Sequence, residues 1–521
     1  MDNAKHLALK ALAAGHEHPL LLNLRALDHE EAGRLDQALE DLTRAHVLAP
    51  RDFSILNACG LCLSRMDRPR EALQCYEQAI AIEPKFGPAS FNSGWAFDRL
   101  GETAKAAKAF ARAAELDPRN APAWANMAWL AVRRGDRQAA REYADRALVL
   151  QPDQPTAHLA LARVELDEPH LAERRLMDLL ARPDLGANDT ALALNQLGDA
   201  LHALGRPSEA FASYTKSNAL FRAEAAARFE APGQLTVADM MAWLVPWAQR
   251  LDAREWAPPR ARATSRRAHV EHVFLLGFPR SGTTLMESVL AGHPKVVSLE
   301  ERFTLEAAVT AFMGSAESMS RLASLRDAEL QVYRDDYWAC VKSFGVDVRD
   351  KIFIDKNPFN TFNLAVIYKL FPDAKIIFAI RDPRDVVLSC FRRMFRLNAS
   401  THELLDLKRA ASFYDQTMRF WQIMREKQPL EEHQLVYERL VANFEAEASA
   451  ACAFIGADWR PELAQFAERA RKGNVASVSS DQIARGLFTD GAGQWRRYRA
   501  ELAPVLETLA PWVERFGYPP D

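Results

Sequence analysis

Cysteine is scarce in this chain, with six among 521 residues, and that scarcity argues against a fold stapled by disulfides. Cys59-Gly60-Leu61-Cys62 has the spacing of half a zinc site but lacks a second pair or nearby histidines. Its small residues read instead as the packed face of a helix pair. A long apolar run is missing too, so no segment reads as a membrane span. The N-terminus has neither the cationic start nor the cleavage site of a signal peptide, so the expected location is the cytoplasm, away from any membrane. Net charge of one sign is also lacking. The 66 basic and 69 acidic residues leave a formal charge of −3, which argues against a general nucleic-acid binder. The local exception, Arg254 to Arg267 with Pro258 and Pro259, reads as a solvated linker. What is there is ordinary soluble composition, 49% apolar and 26% charged. The chain is too long for one core, so two or three domains are expected.

Against this background a period stands out. Pro50, Pro84, Pro118 and Pro152 recur every 34 residues, as do Ala38, Ala72, Ala106 and Ala140, and Ala45, Ala79, Ala113 and Ala147. Gly33, Gly101 and Gly135 hold a turn position that Asp67 fills in the second unit. The register is lost between Leu166 and Gly186, where Pro169 and Pro183 intrude, and resumes at Gly205 and Ala210. Small alanines let antiparallel helices approach closely, and proline closes each unit. The period and the small-residue grid resemble the tetratricopeptide repeat. That resemblance implies an all-α solenoid of five to six repeats over residues 1–222, able to present an extended peptide or protein. Asn23, Asn57, Asn92 and Asn126 are candidates for holding peptide backbone, and read equally well as surface or capping residues. Trp95, Trp124 and Trp129 read as core. Residues 223–269 form a helical and basic linker, with an amphipathic helix expected over Leu235 to Asp252.

Residues 270–521 carry the chemistry. Val273 to Leu276 is an apolar run that ends in Gly277-Phe278-Pro279-Arg280-Ser281-Gly282-Thr283-Thr284, followed at once by a helical stripe of Leu285, Met286, Val289 and Leu290. Loop amides and a helix N-terminus converging on an anion make a phosphate cradle. Thr283 stands where a triphosphate loop needs lysine, which turns the reading away from kinases. A second buried strand, Lys375 to Ile380, delivers Arg381-Asp382-Pro383-Arg384-Asp385. The helix after it carries Ser389 and ends near Arg393, which suits a second phosphate. Val296 to Leu299 runs into Glu300-Glu301, where a carboxylate is placed to act as a base. Adjacent side chains on a strand point opposite ways, so only one of the two is expected in the site. Lys351 to Ile354 runs into Asp355 and Lys356, and Asp355 there is the best point in favour of a magnesium-dependent kinase.

Together, Pro-Arg-Ser-Gly-Thr-Thr and Arg-Asp-Pro-Arg-Asp-x-x-x-Ser resemble the 5′- and 3′-phosphate motifs of sulfotransferases that use 3′-phosphoadenosine 5′-phosphosulfate (PAPS). The Glu-Glu pair is most similar to the tyrosylprotein branch. The resemblance implies an α/β domain with a parallel sheet and a P-loop-like phosphate-binding loop, PAPS as co-substrate, and no metal. It implies Glu301 as base, and Lys356 and Arg280 as cations for the leaving group. Donor binding would fall to Arg280, Ser281, Gly282, Thr283, Thr284, Arg381, Ser389, Arg393, Tyr437, Ser479 and Trp495. Tyr437 belongs to a Tyr-Glu-x-Leu segment. Ser479 and Trp495 belong to a C-terminal loop, in which Gln494 replaces the lysine of the tyrosylprotein branch. The expected acceptor is a tyrosine hydroxyl of a peptide or protein. A carbohydrate or small-molecule acceptor, with the repeats as an assembly module, and an inactive scaffold are the rivals.

Overall fold

The computed structural model describes residues 2–256, 270–428, 431–472, 486–487 and 491–520. The basic stretch Arg260 to Arg267 and the segment containing Ser479 lie outside the described residues. The chain divides into two compact units, Met1–Leu179 and Leu180–Asp521.

The first unit is a series of antiparallel helix pairs: Pro19–Glu31 with Leu35–Leu48, Phe53–Arg65 with Pro69–Ile82, Gly87–Arg99 with Thr103–Leu116, Ala121–Arg133 with Arg137–Leu150, and Pro155–Val164 with Pro169–Leu180. Each 34-residue sequence unit is one such pair. The turn slot is left-handed throughout, with φ of 72° at Gly33, 76° at Gly101, 74° at Gly135 and 58° at Asp67. A second repeated device sits inside the pairs. A Cβ on Gly60 would strike the ring of Tyr76, and one on Gly94 would lie 2.6 Å from the ring of Phe110. In the fourth pair the equivalent partners are Ala128 and Ala144, both fully buried. One large ring against glycine, or two alanines, fills the same gap between helices.

Cys59 and Cys62 are free and buried, and burial pushes their thiols up to about 12 and about 11. They pack the helix pair, as their sequence context suggested. One expectation fails here. Trp95 is 46% exposed, its ring edge-on to Phe110 at 6.1 Å, because Phe110 already fills the space over Gly94.

The second unit opens with a sixth helix pair, Ala187–Ala203 and Pro207–Phe229, which repeats the ring-on-glycine device with Tyr214 over Gly198. Although expected in the solenoid, this pair packs as part of the second unit. The helix Val237–Arg250 follows, opened by a reciprocal Thr236–Asp239 capping box.

Five strands form the sheet: β1 Glu271–Gly277, β2 Val296–Glu300, β3 Ile352–Lys356, β4 Lys375–Ile380 and β5 Glu432–Val436. All pairings are parallel, in the order β2-β3-β1-β4-β5. Such strands are covered on both faces, hence their nearly continuous apolar runs. One face packs on Met286, Val289 and Leu290 of the loop helix and on Ala448, Cys452 and Ile455. The other carries Phe378, stacked on Trp421 at 4.1 Å. The chain leaves β1 towards β2 and β3 on one side and returns to β4 on the other. The crevice at the carboxyl ends of β1, β3 and β4 is therefore where such a sheet binds ligands.

Candidate active site

Gly277 ends β1 with φ of 147°, and a Cβ there would sit 2.7 Å from the Ala379 carbonyl oxygen of β4. Only glycine lets the loop leave the sheet this close to its neighbour. Thr361 braces the turn, donating to the Gly277 carbonyl at 2.6 Å and accepting from its amide at 3.1 Å. The loop then turns through two left-handed residues, Arg280 at φ 71° and Gly282 at φ 101°, before the helix Thr283–Leu290 begins. A non-glycine residue held at positive φ stores strain, and such strain collects where function over-determines geometry. Ser281, Thr283 and Thr284 are buried within this turn.

β3 delivers Lys356, fully buried, beneath the loop helix. Its Nζ lies 2.8 Å from Glu301 Oε1, 3.2 Å from Glu287 Oε2 and 3.3 Å from Glu300 Oε1. It also donates to Thr284 Oγ1 at 3.4 Å. Burial alone would favour the neutral amine, but the three carboxylates outweigh it and hold the ammonium pKa above its usual value. Burial pushes the Glu287 carboxyl up, with Lys356 opposing. Both Glu300 and Glu301 reach the lysine, contrary to the alternation of a strand. The cause is local: Glu301 has φ of 46°, which ends the pleat and turns its side chain back to the side of its neighbour. Glu301 is the more exposed of the two, at 46% against 24%.

β4 delivers the second cationic group. Arg381 donates through Nη1 to the Arg280 carbonyl at 2.9 Å and through Nη2 to the Gly491 carbonyl, and its guanidinium lies 4.6 Å from the centre of the Tyr437 ring. Its buried Nε has no partner among the described residues. Arg280 Nε donates to Ser389 Oγ at 3.0 Å. Burial, together with Arg393 and Arg381, pushes the Arg280 guanidinium down to about 9. Three guanidiniums crowded with a hydroxyl and an unpartnered N–H suit a multiply charged anion, whose arrival would reverse that penalty. The residues expected to form two phosphate sites are thus neighbours, joined by the Arg280–Ser389 contact.

Tyr437 starts the helix after β5 and covers the loop: a Cβ on Gly282 or Gly491 would lie 2.9 Å from its Cδ2 or 2.6 Å from its hydroxyl. Trp495 is buried, 3.7 Å beneath the guanidinium of Arg384. Its backbone N–H and that of Gly493 donate to Asp385 at 2.8 and 2.6 Å, so this segment is tied to the first turn of the helix Pro383–Arg392.

Asp355, the kinase-like candidate, faces away. It accepts from Thr304 at 2.6 Å and from Tyr337 at 2.8 Å inside the opposite face of the sheet, and burial raises its carboxyl to about 6. The sequence reading missed Glu287, although a lone carboxylate among Leu285, Met286, Val289 and Leu290 on one helix was a signal. It also missed Asp199, whose Oδ2 lies 3.4 Å from Arg393 Nη1.

Comparisons with known proteins find matches for both parts of the chain. Residues 272–461 match a model of the Sulfotransferase family, and residues 60–121 and 99–164 match models of the tetratricopeptide repeat. Protein-tyrosine sulfotransferase 2 of Gallus gallus is 27% identical over 267 residues, covering 48% of this chain and 69% of that protein. Protein-tyrosine sulfotransferase A of Caenorhabditis elegans is 24% identical over 261 residues, covering 48% of this chain and 67% of that one. An uncharacterized protein of Aquifex aeolicus is 24% identical over 260 residues, and the matched part spans 47% of this chain and a third of that relative's length, 33%. The chain therefore carries a sulfotransferase-family domain, behind tetratricopeptide repeats.

Proposed function

We propose that this domain moves the sulfuryl group of PAPS to a tyrosine hydroxyl of a peptide or protein, leaving adenosine 3′,5′-bisphosphate. One observation carries the reading: a buried lysine ringed by three carboxylates lies beneath a loop around which arginines crowd. The donor supplies a sulfur centre open to displacement and a phosphate leaving group. The residues present fit it. Loop amides and Arg280 suit the 5′-phosphate, and Arg381, Ser389 and Arg393 suit the 3′-phosphate, with the orphaned Arg381 Nε as a ready donor. As the acceptor oxygen bonds to sulfur and the sulfur–oxygen bond to phosphate breaks, Glu301 takes the acceptor proton. Lys356, its charge held by the surrounding carboxylates, meets the negative charge that grows on the departing oxygen. The tyrosine assignment draws support from the Glu300–Glu301 pair and from relatives named as protein-tyrosine sulfotransferases. The repeats are proposed to present the acceptor.

Titration calorimetry tests the donor. Adenosine 3′,5′-bisphosphate should bind without magnesium, and ATP with magnesium should bind more weakly. The reverse order would overturn the reading. Incubation with labelled PAPS and a panel of tyrosine peptides, sugars and simple phenols tests the acceptor. Transfer to sugars alone would leave the donor half of the proposal and remove tyrosine.

A further inference from the structure

The helix Pro383–Arg392 carries Ser389 and ends against the sixth helix pair. Like any helix it leaves its last carbonyls without an internal partner. Two of them are met from outside. Asn195 Nδ2 donates to the Arg392 carbonyl at 3.0 Å, and Asn218 Nδ2 donates to the Phe391 carbonyl at 2.9 Å. Phe211 stacks on Phe391 at 5.0 Å.

Asp199 stands beside them, nearly buried at 11% exposure. Its Oδ1 accepts from the Tyr214 hydroxyl at 2.9 Å and lies 3.9 Å from Arg392, while Oδ2 faces Arg393. The same pair grips the C-terminal segment. His202 Nδ1 is 2.7 Å from the Tyr498 hydroxyl, and Arg497 Nη2 donates to the His202 carbonyl at 2.8 Å. The pair thus holds both pieces that flank Arg381: the helix that follows it and the segment whose Gly491 carbonyl it contacts.

We propose that the helix pair Ala187–Ala203 and Pro207–Phe229 is a working part of the donor site, with Asp199 positioning Arg393 for the donor's phosphate. The inference rests on the donor assignment above. Its physical basis is repulsion. Arg393 and Arg381 oppose the charge of Arg280, and Asp199 Oδ2, 3.4 Å from Arg393 Nη1, supplies a counter-charge. A carboxylate fixed by a buried tyrosine holds Arg393 in place. Asp199 touches no donor atom in this scheme and acts only through the arginine.

The test is a double-mutant cycle in the full-length chain, read by calorimetry with adenosine 3′,5′-bisphosphate. Asp199→Asn and Arg393→Ala should each weaken binding about tenfold, and the double variant should be no weaker than Arg393→Ala alone. Unchanged affinity in Asp199→Asn, or losses that simply multiply, would overturn the proposal, since a purely packing role does not depend on Arg393. Should Asp199→Asn fail to fold, amide exchange in the wild-type protein decides. The bisphosphate should slow exchange in Ala187–Ala203 as well as in Pro383–Arg392. Protection of the second helix alone would refute the positioning role and leave the donor assignment standing. A wild-type protein that does not bind the bisphosphate would remove both.

Discussion

The repeat unit and the carboxyl edge of the sheet treat charge in opposite ways. In the repeats, pairs such as Arg68–Glu71 and Arg112–Glu115 lie on the surface with both partners about half exposed, and exposed pairs of this kind contribute little to stability. The more buried pairs there, such as Arg25–Asp41 and Arg175–Glu165, set one arginine against a carboxylate, and the cores are alanine grids and rings seated on glycines. At the sheet edge, Lys356 has no exposure and three carboxylate neighbours, and Arg280 is half-buried near two other arginines. Burying charge is costly, and removing one partner costs more. The difference teaches where to look for function: a fold chosen for stability alone has no use for the second arrangement.

The comparison can be broken most severely by moving the boundary between the two regions. A chain beginning at Ala181 should bind adenosine 3′,5′-bisphosphate as the full chain does. One beginning at Arg254 should lose binding altogether, since it lacks the sixth helix pair. Equal binding by both would show that the pair belongs energetically with the repeats.

Next in size is the proposed base. Glu301→Gln keeps shape but cannot take a proton, so turnover should fall by about 10²–10⁴ with bisphosphate affinity retained. Glu300→Gln should be much milder, because Glu300 is the less exposed and lies farther from Lys356. Exchanged effects would move the base to Glu300, and full activity in both would remove it from this pair.

Burial of charge also leaves a signature in pH. Asp355 is raised from 3.8 to about 6 in the folded protein, so the folded state binds its proton more tightly than the unfolded chain. Stability from this group is therefore greatest below about pH 4 and is lost as pH rises through about 6, by about 3 kcal/mol for such a shift. Chemical denaturation of Asp355→Asn across this range should show that downward slope flattened. An unchanged slope would mean the carboxyl is ionised at low pH after all.

The smallest expected effect lies in the repeats. Gly94→Ala should force the Phe110 ring aside and cost about 1–3 kcal/mol of stability, while turnover per folded molecule stays the same. A loss of turnover without a loss of melting temperature would show that this gap serves more than packing.

Much of this was legible in the sequence because it is local or periodic. The 34-residue spacing is one packing solution repeated, and Gly277 and Gly282 mark turns that only their own φ angles require. Strand order was not legible. Nor was the pairing of Asp199 with Arg393, which depends on segments almost two hundred residues apart meeting across a helix end. The orientation of Glu300 and Glu301 escaped because a single positive φ cancels strand alternation. The exposure of Trp95 escaped because composition does not say which of two rings wins a gap.

The ties to the C-terminal segment have a consequence for the order of assembly during synthesis. Arg384 donates to the carbonyls of Pro519 and Pro520 at 2.8 and 2.9 Å, and Asp385 binds the amides of Gly493 and Trp495. Helix pairs need only their neighbours in sequence and can close as they leave the ribosome. The proposed donor cradle cannot be finished until those contacts arrive, some tens of seconds later at ordinary elongation rates. A nascent chain would therefore carry folded repeats long before it could hold a nucleotide.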